Sequence, residues 1–280
     1  MRTDASTFEG ADGQRLFEQH WLPEGDPRSA IVLVHGYAEH SGRYGHVAQR
    51  LTGAGHAIYA LDLRGHGRSG GRRAYVRSLD EYLVDLRPFV ARVREREPTV
   101  PLYLLGHSMG GTIVALSLLR DRPELHGAIL SAAGLKLRGG IARVLQQAAV
   151  LVGRLAARLP LARLNSGDVS RDGATVAAYD GDPLVYRGRM RAGMAAALIR
   201  AVRSVEAQME SIDVPLLLLH GTDDALTEPE GSRELYRRAR SEDKTLKLYD
   251  GLYHEVLNEP EREQVIADVV QWLDARTGRH

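Results

Sequence analysis

The chain has 280 residues, 44% of them hydrophobic and 26% charged, enough apolar content to bury a sizeable core in one large domain or two small ones. A net charge of +1 gives no global attraction to nucleic acid or another polyanion. The absence of cysteine excludes disulfides, thiolate–metal sites and cysteine nucleophiles together.

From the N-terminus, "MRTDASTFEGADGQ" lacks the apolar core of a secretory signal, and no later stretch approaches a membrane span, so the expectation is a soluble cytoplasmic protein. "STFEG", a turn at Ala11-Asp12-Gly13 and "QRLFEQHWLP" predict an antiparallel hairpin. Six short apolar runs follow: Ala30–Gly36, Ala57–Gly65, Leu102–Ser108, Gly127–Ala133, Pro215–Gly221 and Leu246–Gly251. Their near-continuous apolarity predicts strands buried on both faces, as in a parallel sheet. Helix-period segments lie between or after them at Tyr44–Ala54, Leu79–Glu97, Met109–Asp121, Glu230–Arg240 and Glu261–Ala275. Strand and helix alternate, which predicts an α/β sheet covered by helices on both sides.

One interval breaks this rhythm. Roughly 80 residues separate Ala133 from Pro215, far more than one crossover helix needs. Within it Ile141, Val144, Leu145, Ala148, Leu151, Val152, Leu155 and Leu159 recur at helical spacing, with Arg143, Gln147, Arg154 and Arg158 on the opposite face until Pro160 stops the pattern. The expectation is an inserted cap over residues 135–205, carrying one basic amphipathic helix over 140–159, between core segments 1–134 and 206–280. Such a helix is either a lid over a hydrophobic pocket or an element lying on a membrane surface.

"GHSMG" fits G-x-S-x-G and offers Ser108 as a nucleophile, but glycine and serine are common in turns and the pentapeptide does not decide. A serine hydroxyl needs a base, and the base an orienting acid. In the chain order nucleophile, acid, histidine, only His254 and the terminal His280 lie beyond the last candidate acid, and a chain end is a poor place for a base. The acid is then Asp223 or Asp224 in "LLLLHGTDDAL", and spacing does not separate them. Two backbone N–H groups suit an oxyanion: that of Met109, after the serine, and that of Tyr37, in the loop after the first apolar run. "RGHGRSGG" (Arg64–Gly71) lacks the Walker pattern and is read as a backbone scaffold, and His35 and His40 are not spaced as a metal pair.

Together "HGYAEHSGRY", "ALDLRGHGRSGG", "GHSMGG", "LHGTDD", "DPLVYRGRM" and "GLYHEVLNEP" resemble the monoacylglycerol lipase family, from about residue 15 to the end. The resemblance implies an α/β-hydrolase fold: a mostly parallel eight-stranded sheet flanked by helices, with an inserted helical cap. It implies Ser108 as nucleophile, Asp224 as acid, His254 as base and the Tyr37 and Met109 N–H groups as oxyanion hole. It also implies a cap that docks on lipid surfaces, and glycerol handled near "EHSGR", by Glu39 and Arg43 unless these two form a buried ion pair. Tyr37 stands where some relatives carry a small residue.

The expected activity is a serine esterase that cleaves monoacylglycerols through an acyl-enzyme, with a lipid ester as partner, no nucleic acid and no cofactor or metal. A broad carboxylesterase or lysophospholipase would share the machinery. A lipid-binding protein on a hydrolase scaffold is the non-enzymatic alternative.

Overall fold

The structure is a computed structural model that describes residues 1–137 and 143–278. Eight strands form one sheet: β1 (Arg2–Glu9), β2 (Arg15–Leu22), β3 (Ser29–Val34), β4 (His56–Leu61), β5 (Leu102–His107), β6 (Gly127–Ser131), β7 (Leu216–Gly221) and β8 (Lys244–Tyr249). Their order is β1-β2-β4-β3-β5-β6-β7-β8, with β1 and β2 antiparallel and the rest parallel. β3 through β7 are buried along their whole length, which explains their uninterrupted apolar sequences. Alternate side chains feed two cores. Ala30, Val32 and Val34 pack on one face with Leu83, Ile113 and Met194, while Ile31 and Leu33 pack on the other with Leu51 and Trp272.

Among the described residues there are eight α-helices: α1 (Gly45–Gly53), α2 (Asp80–Arg96), α3 (Met109–Arg120), α4 (Arg143–Leu155), α5 (Gly173–Gly181), α6 (Ala192–Glu206), α7 (Pro229–Arg238) and α8 (Arg262–Thr277). β4 stops at Leu61, short of the expected Gly65, because Asp62 turns inward. Its carboxylate accepts the N–H and hydroxyl of Ser41 (2.9 and 2.5 Å) and the N–H of Arg68 (2.8 Å). Gly67 has φ +49°, and a Cβ there would lie 2.1 Å from Asp62 Oδ2, so the glycine-rich stretch wraps this carboxylate.

Between β6 and β7 lie α4, α5 and α6. α4 ends at Leu155, four residues before Leu159, and Ile141 falls outside the described residues, as do the side chains of Arg143, Val144 and Leu145. The helix meets α6 through Gly153, where a Cβ would sit 2.3 Å from Ala196 Cβ. Its leucine face is not covered: Leu151, Val152 and Leu155 are exposed, as are Leu159, Leu161 and Leu164 beyond it. No helix among the described residues is long and apolar enough to cross a membrane.

Candidate active site

The chain reverses the direction in which it adds strands between β3 and β5, and open α/β sheets bind ligands at the carboxyl ends of such a pair. β5 ends at His107 and α3 begins at Met109, so Ser108 makes the turn alone. It does so at φ 54° and ψ −118°, a conformation that costs a residue with a side chain about 1–3 kcal/mol. Neighbours hold it there: its N–H donates to Ser131 O (2.9 Å), and its carbonyl accepts from Thr112 and Gly134 (both 3.2 Å). The flanking glycines are required by packing. A Cβ on Gly110 would lie 2.0 Å from the Val34 carbonyl oxygen, and one on Gly106 would lie 2.5 Å from Gly110 O.

His254 follows β8 and is buried, as is Asp224 after β7, and Nδ1 of the ring lies 2.7 Å from Asp224 Oδ2. Asp224 Oδ1 accepts the N–H groups of Leu226 (2.7 Å) and Thr227 (2.9 Å). Asp223, by contrast, is exposed, and its carboxylate meets only the Thr222 hydroxyl at 3.3 Å. The turn therefore brings Asp224 and not Asp223 against the histidine. Burial alone would raise the Asp224 pKa, but the charge of His254 and the hydrogen bonds from His220 and His254 hold it well below the usual carboxylate range. Burial alone would likewise lower His254, and the charge and hydrogen bond of Asp224 overcome it, so the imidazole pKa is raised. An ionised carboxylate only accepts, so Nδ1 carries the hydrogen and Nε2 is the basic nitrogen. His107, ring to ring 4.8 Å from His254, is driven down to about 4 by burial and by His254, and stays neutral. His280 lies outside the described residues.

On the other side, the β3–β5 register pairs Val34 with Gly106 and sets the loop after β3 beside the serine. A Cβ on Gly36 would lie 3.2 Å from Ser108 Cβ. Tyr37 comes next, and it lines one pocket with Ser108, Met109 and His254. Met109 opens α3, where backbone N–H groups lack intrahelical partners. The Tyr37 ring leans edge-on against His66 (5.8 Å) and Tyr186 (6.4 Å). The segment between β6 and β7 holds this loop through the Tyr186 N–H on Ala38 O (2.7 Å) and through His40 Nε2 against Asp182 Oδ2 (2.8 Å). His35 lies with Nδ1 2.7 Å from Gly36 O and accepts the Leu63 N–H at Nε2 (2.9 Å). Both histidines thus serve the loop.

Glu39 and Arg43 are bound to each other. Arg43 Nη1 donates to Glu39 Oε2 (2.9 Å), and its two terminal nitrogens reach Glu255 at 2.6 and 2.8 Å. Glu39 Oε1 also accepts the Gly36 N–H (2.6 Å) and the Tyr44 hydroxyl (2.7 Å). Burial would push Glu39 up, but the Arg43 charge, foremost among its favourable neighbours, brings it down to about 2. Glu39 lines the pocket and Arg43 is not among the lining residues. Glu255, His220 and Thr227 escaped the sequence reading. The one available signal for Glu255 was a carboxylate next to the candidate base.

The pocket encloses about 870 Å³, its open mouth included. Leu137, Leu164, Val169, Leu198, Val202 and Leu226 supply an apolar wall, in part from the segment between β6 and β7.

A serine turned out at the end of β5 in a sheet of this order, with an acid and a histidine after β7 and β8, makes the chain an α/β-hydrolase. The family described as serine aminopeptidase, S33, matches residues 25–261. A monoacylglycerol lipase of Mycolicibacterium smegmatis is 46% identical over 95% of each chain. The mouse monoglyceride lipase is 36% identical over 95% of this chain and 89% of its own. The crystal structure of Paleococcus ferrophilus monoacylglycerol lipase superposes with a TM-score of 0.80 at 31% identity, covering 99% of this chain and all of the other. The chain belongs to the monoacylglycerol lipase family.

Proposed function

We propose that the protein hydrolyses monoacylglycerols to fatty acid and glycerol. Ser108 attacks the ester carbonyl while His254 takes its proton. The Tyr37 and Met109 N–H groups hold the oxyanion, and His254 returns the proton to the leaving glycerol. Water activated by His254 then releases the acid from the acyl-enzyme. Asp224 fixes the tautomer and steadies the imidazolium. In this reading Glu39 and Arg43 hold the oxyanion loop rather than the glycerol, since each already has a charged partner.

The observation that carries the reading is the buried His254, 2.7 Å from Asp224, which shares with a strained serine a pocket walled by aliphatic side chains. The relatives' names supply the choice of monoacylglycerol. Residues 135–205 act as a cap, and their exposed leucines, beside the exposed Arg154, Arg158 and Arg163, suit peripheral contact with a lipid surface. Such contact would bring a poorly soluble ester to the pocket mouth.

The test is a hydrolysis panel of monoolein, diolein, triolein, lysophosphatidylcholine and short p-nitrophenyl esters, run with wild type and Ser108→Ala. Monoolein is the expected preferred substrate, and Ser108→Ala is inactive and unlabelled by a fluorophosphonate probe. Rapid turnover of short esters without cleavage of monoolein would overturn the substrate, and labelling of Ser108→Ala would overturn the nucleophile.

A further inference from the structure

Asp224 has more donors than a histidine–acid pair requires. Its Oδ2 faces not only His254 but also Thr227 Oγ1 at 2.7 Å and His220 Nε2 at 3.1 Å. His220 lies near the end of β7 and is fully buried. Its other ring nitrogen, Nδ1, lies 2.8 Å from the hydroxyl of Ser232, which is buried on α7. The acid sets the direction of these bonds. A carboxylate accepts only, so His220 carries its hydrogen on Nε2, and Ser232 donates to Nδ1. Thr227 Oγ1 has one hydrogen for two acceptors, Asp224 Oδ2 and Ala132 O at 3.0 Å. His220 is therefore the donor that does not depend on that choice.

No step of the acyl transfer moves a proton through His220. We propose that His220 is a positioning residue that tunes the base: its N–H shares Asp224 Oδ2 with His254, draws charge from that oxygen and limits how tightly the acid holds a proton on His254. This rests on the roles of Ser108, His254 and Asp224 given above. A base in acyl transfer must be neutral when the hydroxyl attacks and must release its proton to the alcohol, so a carboxylate with fewer donors would hold the imidazolium too well. The other titratable groups around His254 are Glu255 from its own loop, Glu39 from the loop after β3 and the neutral His107 from β5. The two carboxylates also favour the charged ring, and the counterweights lie on the acid itself: the Leu226 and Thr227 N–H groups on Oδ1 and, on the oxygen that meets His254, the His220 N–H beside the Thr227 hydroxyl.

The experiment is the pH dependence of kcat/KM on a soluble p-nitrophenyl ester for wild type, two apolar replacements of different size (His220→Leu and His220→Phe) and His220→Gln, whose amide keeps an N–H. Each apolar replacement should move the acid limb up by about 0.5–1 pH unit, which lowers activity on the acid side of the limb by roughly three- to tenfold while rates on the alkaline plateau converge. His220→Gln should return the limb to the wild-type position. Two apolar variants keep the test alive if one fails to fold. An equal loss at every pH with the limb unmoved, or a His220→Gln profile identical to that of the apolar variants, overturns the proposal. Wild-type hydrolysis that does not depend on Ser108 would overturn the site itself, a separate outcome from an unmoved limb in an active enzyme.

Discussion

Arg43 holds two buried carboxylates at once. Its side chain is 9% exposed, those of Glu39 and Glu255 are 3% and 4% exposed, and its guanidinium also lies 4.8 Å from the Tyr179 ring of α5. One cation therefore joins the loop after β3, the His254 loop and α5. Arg43→Met keeps the stem and removes the charge, leaving both carboxylates buried without a cation. Breaking a buried pair from one side costs about 3–5 kcal/mol. At roughly 2 °C per kcal/mol for a chain of this length, the melting temperature at pH 7 should fall by about 5–10 °C.

The dependence on pH gives the sharper test. In wild type, burial opposes ionisation of Glu39 but Arg43 holds its pKa at about 2, below the ordinary 4.5. Its stabilising contribution is thus present above about pH 4.5 and is lost as pH falls toward 2. In Arg43→Met burial loses its chief opponent, while the Gly36 N–H and the Tyr44 hydroxyl still favour the charge, and the folded pKa is expected to rise above 4.5. That penalty is full above the raised value and is relieved as pH falls toward the ordinary one. The gap in melting temperature between the two proteins, followed by circular dichroism from pH 8 to pH 5, should therefore narrow. A loss under about 2 °C at pH 7, or a gap that stays constant or widens on acidification, would refute the reasoning.

Three further outcomes follow from the geometry. Asp224→Asn should lower kcat by about 10⁴ through loss of the correct imidazole tautomer, whereas Asp223→Asn, on an exposed residue, should stay within about twofold in the same esterase assay. Gly110→Ala forces a Cβ to 2.0 Å from the Val34 carbonyl, where no rotamer offers escape; the overpacking should cost about 1–3 kcal/mol in urea titration and weaken fluorophosphonate labelling of Ser108. Replacing Leu151 and Leu155 together by serine should reduce co-sedimentation with phosphatidylglycerol-containing vesicles and leave hydrolysis of a soluble short ester unchanged; undiminished vesicle binding would sink the membrane role of α4.

The sheet was legible because burial on both faces writes a continuous apolar run: β5, β6 and β7 lie within their predicted stretches, and β3 begins one residue before its own, at Ser29. β4 ran past its end on paper because "LDLRG" is still partly apolar, while the turn at Asp62 is made in part by Ser41, a partner 21 residues away that no local window contains. α6 was not singled out, although its apolar amplitude at a period of 3.6 matches that of α1, which was; it buries Ala196, Ala197 and Ala201 against its neighbours. α4 had that amplitude, yet periodicity shows that a helix has an apolar face and not what meets it. Here Gly153 packs against α6, while Leu151 and Leu155 are exposed.

The candidate site divides along the same line between local and distant causes. Gly106 and Gly110 are dictated by the approach of α3 to β3 and β5, so the glycines beside Ser108 record a packing constraint within a few residues of it. A motif of that kind survives in one dimension. The order of acid and histidine survives as well, because β7 and β8 are consecutive in the chain and adjacent in the sheet, which delivers their loops to one edge. The choice between Asp223 and Asp224 depended on which residue of a tight turn points inward, and adjacent positions differ there only in backbone dihedrals. His220 and Glu255 were harder still. Each is bonded to a partner elsewhere in the fold, Ser232 on α7 for one and Arg43 after the β3 loop for the other, and both are ordinary residues until those partners are in place. What the sequence hides is thus less the reacting groups than the charges and donors that set their basicity, because those are assembled by the strand order and not by any spacing along the chain.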